Sequence, residues 1–377
     1  MALNRTEAAS LLVLAASVVF GMACGAGDDS LEERWAQLGV PEPETVFLGD
    51  FTEEEKSAIT REVKSVQVSF AERFGIVTSE FTPYISTEFE ALNEAYREWL
   101  DPDWRRRGVE LPSWFRCGGL APPKAIFIAL ETCDEETRAY GGPIAHEYFH
   151  VLQDHLGLVG GSQFWASWLM EGAAVYASTQ YAEEQGRWTV EWRRKVAHLQ
   201  WASLGFCLTG SPLCSEGRDA SQAHLTGLVD EVFQYQIGFL AVDWLVERRG
   251  EEALVQFFRL GGGRHEFEEA FDMTPEEFVD GMEEVRRDRA PSFKWQLRGS
   301  VLDPDGRPVP YAHIQFMMEV EDERVGVLGD RANSEGEFTV YGPDERHTLG
   351  VFLKCPDGSR AYWVCGRVGP GGLRGRR

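Results

Sequence analysis

Two histidines four residues apart with a glutamate beside the first, His146-Glu147-Tyr148-Phe149-His150, are the residues of this chain best suited to hold a metal and move a proton. On an α-helix, positions i and i+4 share a face, so both rings can point a nitrogen at one ion. Glu147 is then the neighbour whose carboxylate reaches a water on that ion. Zinc lowers the pKa of such a water towards neutrality and polarises a carbonyl, while a nearby carboxylate takes the proton and later hands it to the leaving group. A hydrolytic zinc site uses three protein ligands and leaves a fourth position for water. Glu171, in the run Trp168-Leu169-Met170-Glu171-Gly172-Ala173-Ala174, supplies the third. The set predicts one Zn2+ ion held by His146, His150 and Glu171, with Glu147 assisting attack of the zinc-bound water. Two histidines in an ordinary core helix would leave Glu171 a coincidence.

The elements around these residues must hold them in place. Pro143 falls in the first turn of a helical pattern, apolar Ile144, Phe149, Val151 and Leu152 surround the ligands, and Gly157 stands where a helix would stop. The motif therefore lies on a buried helix. Upstream, Thr52-Glu53-Glu54-Glu55 opens a helix to Phe74, with Val63, Val66, Phe70 and Phe74 at helical intervals. Phe81 to Ile85 reads as a strand, Ser86 to Leu100 as helix, Pro102 to Arg116 as an irregular loop, and Ala125 to Leu130 as a short apolar strand. Downstream, helices are expected from Trp165 to Gln185, Glu191 to Leu204, Leu225 to Arg249, Glu251 to Leu260 and Pro275 to Arg289. Their tryptophans, Trp165, Trp168, Trp192, Trp201 and Trp244, read mainly as core.

On His146 to His150, the run Trp168 to Tyr176 and the downstream helices, the chain resembles the gluzincin metallopeptidases, over roughly residues 31–290. The resemblance implies an α+β fold: a zincin-like peptidase domain with a small mixed sheet over the metal helix, followed by an α-rich half. It implies Glu171 as third ligand, matched also by Gly172. It implies a tyrosine donor for the oxyanion on a later helix, for which Tyr235 is the candidate; Tyr176 is the weaker competitor and reads as core. His198, His224 and His265 could also donate, with nothing local to mark them. A metzincin would need glycine where Gln153 stands and a histidine three residues on, and His155 is out of register. Where several relatives carry asparagine before the third ligand, this chain has Met170, so support for a histidine must come from elsewhere; Asp154 could serve but reads as solvated. No Gly-x-Met-Glu-Asn segment precedes the motif, which disfavours an aminopeptidase and favours an endopeptidase on polypeptide substrates. The strand before the metal helix is expected to form the sheet edge on which substrate backbone docks. The ligand set also admits cobalt or manganese.

Residues 1–24 carry Arg5, an apolar run from Leu11 to Phe20 and Gly21-Met22-Ala23-Cys24, the pattern of an export signal too short to span a bilayer comfortably. It resembles a bacterial lipoprotein signal, with Cys24 as the lipidated residue; ordinary cleavage near Ala23, giving a secreted soluble protein, is the alternative. Residues 25–30 read as a tether. The other six cysteines suit an oxidising compartment. Locality favours Cys117 with Cys133, Cys207 with Cys214 and Cys355 with Cys365, one of fifteen connectivities. A net charge of −24 argues against nucleic acid and against adhesion to anionic lipid, leaving the lipid anchor as the membrane contact. The basic run Arg105-Arg106-Arg107 reads as a solvated loop.

Past Pro291 short alternating segments and turns take over: Gly299 to Ile314 reads as strand, turn, strand, and Asn333 to Val340 repeats the device. Residues 296–366 resemble a carboxypeptidase regulatory-like domain, a small all-β sandwich, and 367–377 read as a disordered tail. The organisation predicts an exported zinc metallopeptidase. A non-catalytic envelope binding protein keeping a structural zinc site is the alternative, against which a retained Glu147 speaks. A third reading is a zinc hydrolase acting on non-peptide amides, such as cell-wall peptide crosslinks. Oligomeric state is not legible.

Overall fold

The computed structural model describes residues 27–100, 108–113, 115–134, 137–138, 143–157, 167–205, 233–289, 293–300, 302, 306–308, 313–320, 323–331, 334–343, 350–354 and 360–364. Two compact units divide between Leu152 and Gln153, near the end of the continuous metal helix.

The first unit opens with helix α1 (Gly27–Leu38), which begins inside the segment expected as a tether. Strand β1 (Val46–Leu48) leads to helix α2 (Glu53–Phe74). The Thr52 side chain accepts from the Glu55 N–H while Glu55 accepts from the Thr52 N–H, a reciprocal cap that satisfies two otherwise orphaned donors. These hydrogen bonds hold the Glu55 carboxyl below its usual pKa. At the other end Gly75, at φ +66°, closes the helix in the left-handed region that glycine tolerates best. Strand β2 (Thr82–Ser86), helix α3 (Phe89–Trp99), strands β3 (Gly118–Leu120) and β4 (Ala125–Ala129) and helix α4 (Ile144–His155) follow.

The sheet order is β1-β2-β4-β3, with β1, β2 and β4 parallel and β3 antiparallel to β4. All five β4 residues are buried, as a parallel strand covered on both faces requires, and this is why Ala125 to Ala129 is apolar without alternation. Phe127 stacks on Tyr84 and meets the edges of Tyr96 and Trp99 from α3, one compact cluster on one sheet face. The expectation that β4 forms the edge is corrected: β4 is internal, and the edge is β3, in a stretch where two glycines hide the strand pattern.

The second unit contains helices α5 (Ser167–Glu184) and α6 (Val190–Gly205), a π-helical turn (Phe233–Ile237) running into α7 (Gly238–Arg249), then α8 (Glu251–Arg259), α9 (Arg264–Phe271) and α10 (Pro275–Arg289). Buried positions run nearly all round α5, from Trp168 to Ala182, so neighbours cover it on most sides. Trp168 stacks on Phe278 of α10, and the edge of Trp244 from α7 meets the same ring, which bears out the core reading of these two tryptophans. Arg194 of α6 makes a two-pronged pair with buried Asp243 of α7, at 2.7 Å for each bond, and those bonds raise the pKa of the guanidinium further. Beside it Arg193 lies over the Phe239 ring, and burial pulls its pKa down to about 10.

Among the described residues six strands follow: β5 (Phe293–Ser300), β6 (His313–Val320), β7 (Glu323–Arg331), β8 (Glu337–Pro343), β9 (Gly350–Lys354) and β10 (Arg360–Val364). They form a four-stranded sheet, β10-β9-β6-β7, and a pair, β5-β8. β5 joins β8 and not β6, and β7 and β8 belong to different sheets; the Leu302–Pro308 bridge and the positive φ of Gly336 lie at the turns read from the sequence. Turn chemistry marks where a chain reverses, whereas the ladder partner is settled by contacts distant in sequence. The leader with Cys24, and Cys207, Cys214, Cys355, Cys365, His224, the 105–107 run, Trp165 and the tail lie outside the described residues.

Candidate metal centre

The four-residue repeat of α4 sorts its side chains by face. Tyr148, Phe149 and Leu152 are fully buried, while His146 and His150 keep partial exposure. Tyr148 stacks on Phe70 of α2 and packs on Phe81, and Phe149 meets Phe70 and Phe74 edge-on. The Tyr148 hydroxyl donates to the Thr78 carbonyl at 3.2 Å and accepts from the Thr78 N–H at 3.4 Å; Gln67 Nε2 donates to the same carbonyl at 2.9 Å. Burial pushes the Tyr148 phenol up to about 12. The two residues between the motif's charged positions thus anchor the helix to α2, and that anchoring turns the histidine face the other way.

On that face, His150 Nε2 stands 3.2 Å from His146 Nε2, with the rings nearly perpendicular at 86° and centroids 4.8 Å apart. Two nitrogens bound tetrahedrally at about 2.0–2.1 Å from one zinc are separated by about 3.3 Å, so the pair already has the spacing a shared ion needs. A Glu171 carboxylate oxygen joins them, and all three ligand atoms lie within 4.8 Å of one another. Two imidazoles and a carboxylate are a donor set that suits zinc, and the site fits such an ion. Glu147, between the histidines in sequence, is buried at 5% exposure.

Three features that place these residues escaped the sequence reading. First, Gln153, one turn beyond His150 and fully buried, donates from Nε2 to the Met170 carbonyl at 3.0 Å, tying α4 to the residue before Glu171. The position that excluded a metzincin is therefore a brace. Second, Gly172 and Gly238 touch: a Cβ on Gly172 would lie 2.7 Å from the Gly238 Cα, and one on Gly238 would lie 3.0 Å from the Gly172 Cα and strike the Trp168 carbonyl. Only glycines allow α5 and α7 to cross this closely next to Glu171. Third, Gly119 of β3 lies against the Glu147 side chain. Glycine pairs in helices far apart in sequence carry no local mark, so only a spatial pairing could have found them.

Tyr235 lies in the π-helical turn, 37% exposed, and that turn packs against α5, which carries Glu171. Single π turns interrupt helices frequently at functional sites. Tyr176 is buried, and its hydroxyl donates to Glu251 Oε1 at 2.8 Å, a commitment that removes it as an oxyanion donor and agrees with its core reading. Asp154 is half-buried on α4, His198 lies on α6 and His265 on α9. Cys117 and Cys133 form a disulfide, as locality suggested.

No family model and no curated protein sequence matches the chain. Solved structures do. An M1 zinc metallopeptidase from Deinococcus radiodurans is 18% identical at a TM-score of 0.32, with 69% of this chain and 47% of that one covered. A mutant of that enzyme bound to a Tyr-Ser-Ala substrate scores 0.31, with 61% and 44% covered. The Legionella pneumophila aminopeptidase A in complex with aspartic acid is 12% identical at 0.34, with 81% and 35% covered. The chain spans less than half the length of each of these proteins.

Proposed function

We propose that this chain is an exported, lipid-anchored zinc metallopeptidase of the gluzincin type that cleaves internal bonds of polypeptides in the bacterial cell envelope. The observation that carries the proposal is the meeting of His146, His150 and Glu171, with a buried carboxylate, Glu147, next to the first of them in the helix. His146 and His150 through Nε2, and Glu171 through a carboxylate oxygen, hold the ion. When bound, zinc acidifies a water and polarises the scissile carbonyl. Glu147 takes the proton of the attacking water and passes it to the departing amine, and its burial strengthens both exchanges because charges interact more strongly away from bulk solvent. Tyr235 donates a hydrogen bond from its hydroxyl to the oxyanion as the carbonyl becomes tetrahedral.

An endopeptidase is favoured by the edge strand beside Glu147. No Gly-x-Met-Glu-Asn segment, the element by which the large aminopeptidases grip a substrate's free amine, precedes the motif. Among the described residues β3 has one ladder partner, β4, so its outer backbone can pair with an extended peptide of any sequence. Export through residues 1–24 and anchoring at Cys24 agree with the Cys117–Cys133 disulfide, a crosslink that persists in oxidising compartments. The 296–366 strands are assigned no chemistry; a regulatory-like β-sandwich remains their proposed fold.

The test is cleavage of a quenched, sequence-diverse peptide library by protein lacking residues 1–24, with zinc, with chelator, and beside Glu147→Gln. Chelator-sensitive internal cleavage that disappears in the variant is expected. One bound zinc with no cleavage would move the assignment to a binding protein, and no bound zinc would overturn the ligand set.

A further inference from the structure

Gly119 has no backbone reason to be glycine. Its φ lies outside the left-handed region, unlike the twelve glycines at positive φ among the described residues. What it lacks is room. A Cβ there would strike Glu147 Cγ and lie 2.5 Å from Glu147 Oε1 and 2.6 Å from Glu147 Cδ, distances at which one of the two must move. The backbone of the edge strand thus rests directly on the carboxylate that the peptidase reading makes the general base.

The strand itself is short and one-sided. β3 has three residues, paired with β4 through Gly118–Ala129, Gly119–Ile128 and Leu120–Phe127. A three-residue edge strand frays readily. Cys117, one residue before it, is bonded to Cys133, four residues past the end of β4, so the crosslink fastens the strand two residues from Gly119. The Thr132 N–H donates to the Arg116 carbonyl at 3.0 Å, and Arg116 also pairs with Glu131, so the neighbouring backbone stays attached even without the bond.

We propose that Gly119 is a positioning residue for Glu147: the disulfide-fastened edge strand fills one side of the carboxylate's space and so sets where it stands. The proposal rests on the peptidase reading of Glu147. The atoms a methyl would meet, Cγ, Cδ and Oε1 of Glu147, all belong to a side chain and none to backbone, so Gly119→Ala displaces the carboxylate before it displaces the strand. A misplacement of about 1 Å in a reacting group can lower turnover on the order of a hundredfold.

The experiment compares wild type, Gly119→Ala, Glu147→Ala, the double variant, and Cys117→Ser/Cys133→Ser, reading kcat, KM, bound zinc, Tm and the visible bands of the cobalt-substituted protein. Gly119→Ala is expected to lower kcat about 10- to 100-fold with KM nearly unchanged and one zinc retained. In the Glu147→Ala background Cγ, Cδ and Oε1 are absent, and the same methyl is expected to leave bound zinc, Tm and the cobalt bands as they are in Glu147→Ala alone. Removing the disulfide is expected to lower kcat about three- to tenfold with zinc retained. Wild-type kcat in Gly119→Ala, cobalt bands moved by the methyl as far in the Glu147→Ala background as in wild type, or a kcat loss that follows zinc release or unfolding overturns the proposal. If wild type cleaves nothing, the peptidase reading fails and the cobalt spectrum decides the contact. Bands altered alike by Gly119→Ala and Glu147→Gln uphold it, and bands moved only by Glu147→Gln overturn it.

Discussion

A general base and a metal ligand fail differently when removed. Glu147→Gln keeps the volume and loses the proton acceptor, so kcat is expected to fall by about 10²–10⁴ while one equivalent of zinc stays bound. Loss of zinc in that variant would show that Glu147 is a ligand and not the base. Gln153 acts through Glu171: its amide holds the Met170 carbonyl, and Gln153→Leu releases it while filling the space. Zinc affinity is expected to weaken about 10- to 100-fold, as for other groups that orient ligands from behind, measured by competition with a chelator of known affinity. Unchanged affinity would show that packing alone holds α5 in register. Tyr235, near the same helix and partly exposed, is separable by Tyr235→Phe: a kcat loss at constant KM is expected of an oxyanion donor, and no loss of a bystander.

Between elements, the critical contact is the crossing of α5 and α7 at Gly172 and Gly238. A methyl at either position meets backbone, which cannot swing aside as a side-chain tip can. Gly238→Ala is therefore expected to destabilise the fold by about 1–3 kcal/mol and to weaken zinc binding, because the displaced helix carries Glu171. Denaturant unfolding with and without zinc checks both. A variant with wild-type stability would mean that the helices can part at that point without loss. The anchoring of α4 on α2 is the complementary case, since Tyr148 and Phe149 combine stacked rings with the bonds to Thr78.

For the whole chain, sensitivity to acid comes from the carboxylates that the fold holds in their charged form. Hydrogen bonds with Thr52 lower the pKa of Glu55, those with Arg34 lower that of Glu72, and those with Thr137 and Thr274 lower those of Asp134 and Glu277. A carboxylate with a depressed folded pKa contributes stability that is complete above its unfolded value and is lost as pH falls through the folded one. The unfolded values are 4.5 for the glutamates and 3.8 for Asp134, so this loss begins near pH 4.5 and grows below it. Tm measured in chelator, which removes any contribution from metal release, is expected to be flat from pH 7 to 5 and to drop below 4.5. A steep fall already between pH 7 and 5 would assign acid sensitivity to other groups.

The sequence by itself determined the ligand helix and the ligand types, because helical spacing, proton chemistry and capping act over a few residues. His146, Glu147, His150, the Thr52 helix start and the apolar run of β4 were all legible for that reason, whereas Glu171, far from His150 in sequence, was reached through the resemblance of the run Trp168 to Tyr176 to a family motif. Local pattern also located the turns of the 296–366 region. What only the tertiary structure decided is which distant segments meet. Gly118 to Leu120, rather than Ala125 to Leu130, is the sheet edge; Gly119 rests on Glu147; Gly172 meets Gly238; Gln153 reaches Met170; and β5 pairs with β8. Each depends on two stretches that no periodicity links. A glycine's meaning here lies in the atom standing where its side chain would be, and that atom is known only once the chain has folded.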